Sequence, residues 1–440
     1  MPGMKITHLP CEVITEILSQ LDNVRYLKAS LLSCRLFHDA YTQRPSLAKR
    51  IIRNQIPKQL LPHAIALTDA RRVVMSESTH KVFGFAHEDV DALTSHFQKF
   101  SLPQLMVMGR TYDLIVDFAS DFAAKAWTTT TLRDIPSTKS SSNHLLLSPK
   151  EWLRFCRCFY RIELYYGLLT DFGFGEENKR SVHMKQSTRE IEVGGKEIAF
   201  DLDDQMHASR RMLAYLAPWE IEQLGAAVEY LGQRLITAAK EVLAHDIVMG
   251  VYKADYGPCD RGDIMLQKWL CQGIQYLRKI ETAPYAAKCR LLQPGIDIIP
   301  PSLLQELSIY HIENGESHHD TKLNTSLKGT NMEDIDADEG PRKSLDCIAP
   351  RTVMNPECEG FRETAYVFWD QERLEQYNLC STISLDSPSR MSTARLQWTD
   401  MDQFDMEHSW EERSKIWTSE GRGYWSKGDY SRVVWLGLFS

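Results

Sequence analysis

No stretch of this 440-residue chain is apolar for long enough to cross a bilayer. The longest runs, such as Leu145-Leu146-Leu147 and Ala64 to Leu67, fall far short of the ~20 residues a spanning helix needs. The opening MPGMKITHLPCEVITEIL also lacks the apolar segment and small-residue cleavage site of a secretory leader, so a soluble, intracellular protein, cytoplasmic or nuclear, is expected. Basic residues are not in excess: 51 Lys+Arg against 59 Asp+Glu leave a net charge of −8, which argues against a general nucleic-acid or anionic-membrane surface. Ten cysteines in a chain of this length do not build a disulfide scaffold, and reduced thiols are expected.

The motifs of several chemistries are missing as well. There is no Gly-x-Ser-x-Gly elbow, and Gly421 to Lys427 lacks the spacing of a phosphate-binding loop. Cys156 and Cys158 lie two apart on an expected helix and point to different faces. Cys259 and Cys271 have no CxxC partner, and His318-His319 sits in a polar stretch, so no metal site and no cofactor is expected. No repeat of 20–50 residues is visible.

What is present is helical periodicity. Hydrophobic residues at 43% and charged residues at 25% are globular values, and the length suggests roughly two to three domains of about 150 residues. Pro10 suits the first helical position, Glu12 the first turn, and Val13, Ile14, Ile17, Leu18 and Leu21 follow at helical spacing. After Asp22-Asn23 a second series runs Leu27, Leu31, Cys34, Phe37, Tyr41, up to Pro45. Two short helices cannot bury both stripes in each other, so a partner or the rest of the chain must cover them.

Further on, Thr128 to Asn143 is rich in Thr and Ser and reads as a linker or mobile loop. Ser148, Pro149 and Glu151 form a capping box, followed by Trp152, Phe155, Phe159, Ile162 and Tyr166 in steps of three and four. Around Gly194-Gly195 two readings stand, a hairpin between EIEV and KEIAF or a disordered loop. Helices are expected from Pro218, with Ile221, Leu224, Val228, Leu231, Leu235 and Val242 on one face, and from Ile264 to Ile280. Residues 314–345 are polar with an acidic run and read as disordered. Five of the ten tryptophans follow residue 390, punctuated by Gly421, Gly423 and Gly428; Ser409 and Glu412 suggest a second capping box there.

Leu9-Pro10-Cys11-Glu12-Val13-Ile14, then Ile17-Leu18-Ser19-x-Leu21-Asp22, then Leu27-x-Ala29-Ser30-Leu31-Leu32-Ser33-Cys34-Arg35-x-Phe37, resemble an F-box. The likeness covers about residues 7–47, with many positions in register. Family members often carry Val-Cys ahead of the basic residue, where Leu32-Ser33-Cys34 here aligns in either of two registers. More loosely, the rest resembles F-box proteins of filamentous fungi through Phe159-Tyr160-Arg161, Tyr366-Val367-Phe368-Trp369-Asp370, Ser409-Trp410-Glu411-Glu412-Arg413 and Gly421-Arg422-Gly423-Tyr424-Trp425.

The resemblance implies a substrate receptor that docks on the Skp adaptor of a cullin–RING ubiquitin ligase and captures a target protein, without catalysis of its own. The residues it assigns to the adaptor are Leu9, Pro10, Ile14, Ile17, Leu18, Leu21, Leu27, Leu31, Cys34 and Phe37, expected as an exposed apolar patch. Trp410, Trp417 and Trp425 are candidates for target capture, since Trp and Arg dominate binding hot spots; filling a small core is the other reading. The fold expected is mainly α: an F-box of about three helices over 5–50, a helical connector (51–127), a linker (128–147), a helical body (148–313), an acidic loop (314–345) and an aromatic-rich segment (346–440) packed on the body. Two rivals remain: an enzyme whose F-box only governs turnover, and a scaffold that binds the adaptor without a ligase role.

Overall fold

The N-terminal region folds into a series of short helices, seen in a computed structural model of the chain. It describes residues 9–70, 97–134, 145–170, 190–193, 196–199, 216–249, 266–292, 339–347, 359–379, short stretches between 408 and 435, and a few single positions. Helix α1 (Cys11–Ser19) begins one residue later than expected: Pro10 is its cap, with φ −58° and ψ 150°, and its carbonyl accepts from Ile14 N–H at 3.1 Å. The second apolar series is not one helix but two, α2 (Arg25–Ser33) and α3 (Arg35–Gln43), parted by Cys34 in extended backbone. Ser30 and Ser33 donate back to the carbonyls of Tyr26 and Ser30 at 3.0 and 2.8 Å, competing with the ladder where α2 ends.

Helix α4 (Leu47–Gln55) buries Leu47, Ala48, Ile51, Ile52 and Gln55, so the expected boundary at residues 50/51 falls inside a helix. Helix α5 (Leu61–Ala70) follows Pro57, whose carbonyl accepts from Leu60 and Leu61. Helix α6 (Leu102–Asp134) runs for 33 residues and absorbs the first part of the expected linker. Its threonines do not break it, because Thr128 and Thr130 donate to the carbonyls of Ala124 and Ala126 at 2.9 and 2.8 Å, while Ala126 and Trp127 are buried.

Helix α7 (Pro149–Thr170) starts on the expected capping box: Ser148 N–H donates to Glu151 at 3.0 Å, and Glu151 N–H donates to Ser148 Oγ at 3.1 Å. Strands β1 (Glu190–Val193) and β2 (Lys196–Ala199) form the hairpin rather than the loop, with Val193 opposite Lys196. Helix α8 (Pro218–Met249) buries its whole predicted stripe from Ile221 to Val242.

The helix expected over 264–280 is interrupted at 271–273 and resumes as α9 (Ile274–Thr282), followed by α10 (Tyr285–Leu292). Gly273 turns at φ +82°, and Glu163 caps the new helix by accepting from Ile274 N–H at 2.7 Å. A Cβ at 273 would meet that carboxylate at 2.7 Å. The acidic loop is likewise shorter than expected, since 339–345 belong to α11 (Glu339–Cys347), while 314–338 lie outside the described residues. Then come α12 (Glu359–Arg362), a 3₁₀ turn (Tyr366–Phe368), α13 (Gln371–Gln376), and a small antiparallel pair, β3 (Gly421–Gly423) with β4 (Val433–Trp435).

The fold is mainly α. Helix α7 is its axis, packed by α5, α6, α8 and the 3₁₀ turn. Tyr366, Val367, Phe368 and Trp369 are interior, and Phe368 stacks on Phe155 with centroids 4.3 Å apart. Polar groups fasten this turn: Gln223 donates to Val367 O at 2.8 Å, and Arg154, itself buried, donates to Phe368 O at 2.9 Å and pairs with Asp370 at 2.8 Å. Ser148 Oγ also donates to Asp370, and Arg373 pairs with Glu151 at 2.7 Å. One continuous hydrophobic cluster extends from Ile14 to Leu379, so the N-terminal helices share a core with the rest. Among the described residues, no helix is long and apolar enough to cross a membrane.

Candidate functional site

Helix α1 is apolar over a wider arc than one neighbour can cover. Ile14 and Leu18, four apart, face inward and are buried, as is Leu27 of α2. This corrects the expectation that all three are exposed: α1 packs on α3 and α4, and α2 on α3 and α6, so the chain's own core takes them. The parallel pair Val13 and Ile17 spills over the edge of that arc and is 41% and 45% exposed. On α2, Tyr26 and Leu32 are 42% and 79% exposed, and Pro10 is exposed at the helix entry. Leu9, Leu21, Leu31, Cys34 and Phe37 are half-buried. Of the eight large hydrophobics exposed among the described residues, four therefore lie on α1 and α2.

The predicted patch thus divides, and three members were missed: Val13, Tyr26 and Leu32. The adjacent pairs Val13-Ile14, Ile17-Leu18 and Leu31-Leu32 carried the signal, because neighbours in a helix point about 100° apart and cannot all face one partner.

The entry of α2 is clamped. Asn23 Nδ2 donates to both carboxylate oxygens of Asp113 on α6 at 2.8 Å. Gln55 accepts from Val24 N–H at 3.1 Å and donates to Asp113 at 2.9 Å and Gly109 O at 3.2 Å. Gly109 lets α2 approach this closely: a Cβ there would stand 2.5 Å from Val24 Cγ1. Outside, Arg50 grips Glu16 through two bonds of 2.7 and 2.8 Å and holds its carboxyl below the usual range.

A second feature is a groove of about 480 Å³ between α6 and α8. Its floor is Phe122 stacked on Tyr230 at 4.6 Å, beside Ala226. Tyr230 donates to Asp121 at 2.6 Å, and burial together with that acceptor pushes its hydroxyl up. Burial acts to raise the Asp121 carboxyl too, but its bonds to Tyr230 and Lys125 outweigh this and hold it low. Glu229, Gln233 and Glu363 form one wall, and Lys125, paired with Asp121 at 2.9 Å, stands on the other. These contacts join residues far apart in sequence, so no local pattern announces the groove.

The buried thiols are chemically quiet. Burial pushes Cys156 and Cys158 up, and Cys271 up to about 12, leaving the protonated form that is a poor nucleophile. Among the described residues, no group of three His, Cys, Asp or Glu side chains is placed to hold a metal ion. Trp410, Trp417 and Trp425 lie outside the described residues. Nearby, Tyr430, Val434 and Trp435 are exposed. No family model, no curated protein and no solved structure matches this chain.

Proposed function

We propose that this protein is an F-box substrate receptor: α1–α3 dock on the Skp adaptor of a cullin–RING ubiquitin ligase, and the helical body presents a target protein. The observation that carries the reading is the set of apolar side chains Pro10, Val13, Ile17, Tyr26 and Leu32, exposed at α1 and α2 while Ile14, Leu18 and Leu27 of the same helices are buried. Exposed large apolar side chains concentrated on two neighbouring elements of the chain are a candidate surface for a partner. Burying each is worth about 1.5–3 kcal/mol when complete, before the costs of association. The F-box-like register of Leu9-Pro10 and of Leu27 to Phe37 supports the Skp adaptor as that partner.

On this reading the chain catalyses nothing. Ubiquitin transfer belongs to other subunits, and the receptor raises the effective concentration of target lysines near the loaded enzyme. Its place is the cytoplasm or nucleus. The test is affinity purification under proteasome inhibition, comparing wild type with Pro10→Ala/Ile17→Asp. Wild type should recover adaptor and cullin, and the double variant neither, with its fold intact. Equal recovery by both refutes the assignment; adaptor without cullin from wild type points to a scaffold.

A further inference from the structure

Helix α2 turns positive charge outward. From Asn23 to His38 the chain holds Arg25, Lys28 and Arg35 and no Asp or Glu, although the whole protein carries −8. Residues 25, 26, 28, 29, 32 and 33 are all exposed, while Leu27 is buried. Arg25, Lys28 and Leu32 recur in steps of three and four, so one stripe carries two cations and then an apolar end, Leu32, 79% exposed. At the helical rise of 1.5 Å per residue that stripe is about 10 Å long.

The fold leaves this charge largely unanswered. Lys28 makes no hydrogen bond or ion pair among the described residues. Arg35 is 93% exposed, and its pair, Asp39, stands 3.9 Å away. Arg25 lies over the Tyr26 ring at 4.6 Å and donates to its hydroxyl at 2.5 Å; Asp113 and Asp22 attract it without bonding it. Elsewhere the chain meets its arginines with carboxylates of its own: Arg154 with Asp370, Arg161 with Glu220, Arg234 with Glu281 and Arg373 with Glu151, all at 2.6–2.8 Å.

Exposed cations beside exposed apolar groups suit a ligand that carries carboxylates and a large apolar side chain together. Opposite charge draws it in and fixes its orientation, and covering Leu32 and Tyr26 holds it. An extended segment spans about 10 Å in three residues, so an acid three positions before an apolar residue matches the stripe. An anionic bilayer or a nucleic acid would meet the same cations, but a body of net charge −8 opposes both.

We propose that the outward face of α2 docks an acidic segment of a partner protein, with its carboxylates on Arg25, Lys28 and Arg35 and a large apolar side chain on Leu32. Where that partner is the adaptor, the inference rests on the receptor reading above and assigns the character of the adaptor's contact segment; the face itself takes such a segment from any source.

The test titrates the full chain with the blocked peptide Glu-Glu-Ala-Leu-Glu and with its neutral counterpart Gln-Gln-Ala-Leu-Gln, following the methyl resonances of Ala29 and Leu32. The acidic peptide should give saturable shifts, and the neutral one should bind about tenfold more weakly, three exposed pairs being worth a few-fold each. Lys28→Glu should weaken the acidic peptide about fivefold with an unchanged melting temperature. Lys240→Glu, the same charge change at an exposed position of α8, should leave binding unaltered. Equal binding of the two peptides, equal loss in the two variants, or no saturation overturns the proposal. Shifts of the same methyls by phosphatidylserine vesicles but not by the peptide overturn it in favour of a membrane face. The adaptor takes no part in the titration, so its failure and the failure of the receptor reading are separate results.

Discussion

Aspartate placed at Ile17 and at Leu18, one at a time, should produce opposite phenotypes from adjacent positions. Ile17 is 45% exposed and Leu18 3% exposed, the latter inside the cluster that joins α1 to α3 and α4. Truncating a buried leucine costs about 2–5 kcal/mol. A carboxyl left there without a partner adds about 1–3 kcal/mol. Leu18→Asp should therefore lose at least about 3 kcal/mol, a large share of the roughly 5–15 kcal/mol that holds a domain together. Ile17→Asp should stay within about 1 kcal/mol of wild type, as exposed substitutions do. Urea unfolding followed by far-ultraviolet circular dichroism measures both stabilities, and binding to immobilised Skp adaptor is measured beside it. Ile17→Asp should keep its midpoint and lose the adaptor, whereas Leu18→Asp should lose the midpoint. Comparable destabilisation by both variants would refute the division of α1 into a sealed and an open face.

Gly273→Ala should cost about 2–4 kcal/mol, combining left-handed backbone strain with the encounter at Glu163. Gly167→Ala is the matched control, because a Cβ there meets nothing within 4 Å, and its unfolding midpoint should not fall. A pH series tests Glu220. Burial acts to raise this carboxyl, but Arg161 at 2.8 Å and Arg157 at 3.4 Å draw it down to about 2 from its ordinary 4.5. A carboxyl depressed in the folded state stabilises above pH 4.5, and that contribution disappears as the pH falls towards 2. Glu220→Gln should accordingly flatten the acid limb of the stability curve between those values; an unchanged limb would show that the pair does not contribute.

Local signals were legible where the physics is local. Ser148, Pro149 and Glu151 announce the start of α7, and the stripe from Ile221 to Val242 announces the buried face of α8. Composition misled where satisfaction depends on geometry. The threonines after residue 127 look like a linker, yet Thr128 and Thr130 continue α6 by bonding to their own helix. The break at Gly273 needs Glu163, 110 positions away by subtraction, and nothing near 273 predicts it. In the candidate site, residue types and register were readable, but which half of each apolar pair faces water is decided by α3, α4 and α6. The groove, which draws on residues from 122 to 363, left no trace in any short window.

The bonds from Asn23 and Gln55 to Asp113 tie the first helices directly to α6. A body bound at one end and a body bound at the other would be carried as on a bracket, not on a string. If the protein is the receptor proposed above, reach is dictated by shape: a cargo lysine at the wrong distance stays out of range however long it waits. Selectivity among lysines would then follow from orientation, and loosening Asp113 should broaden it.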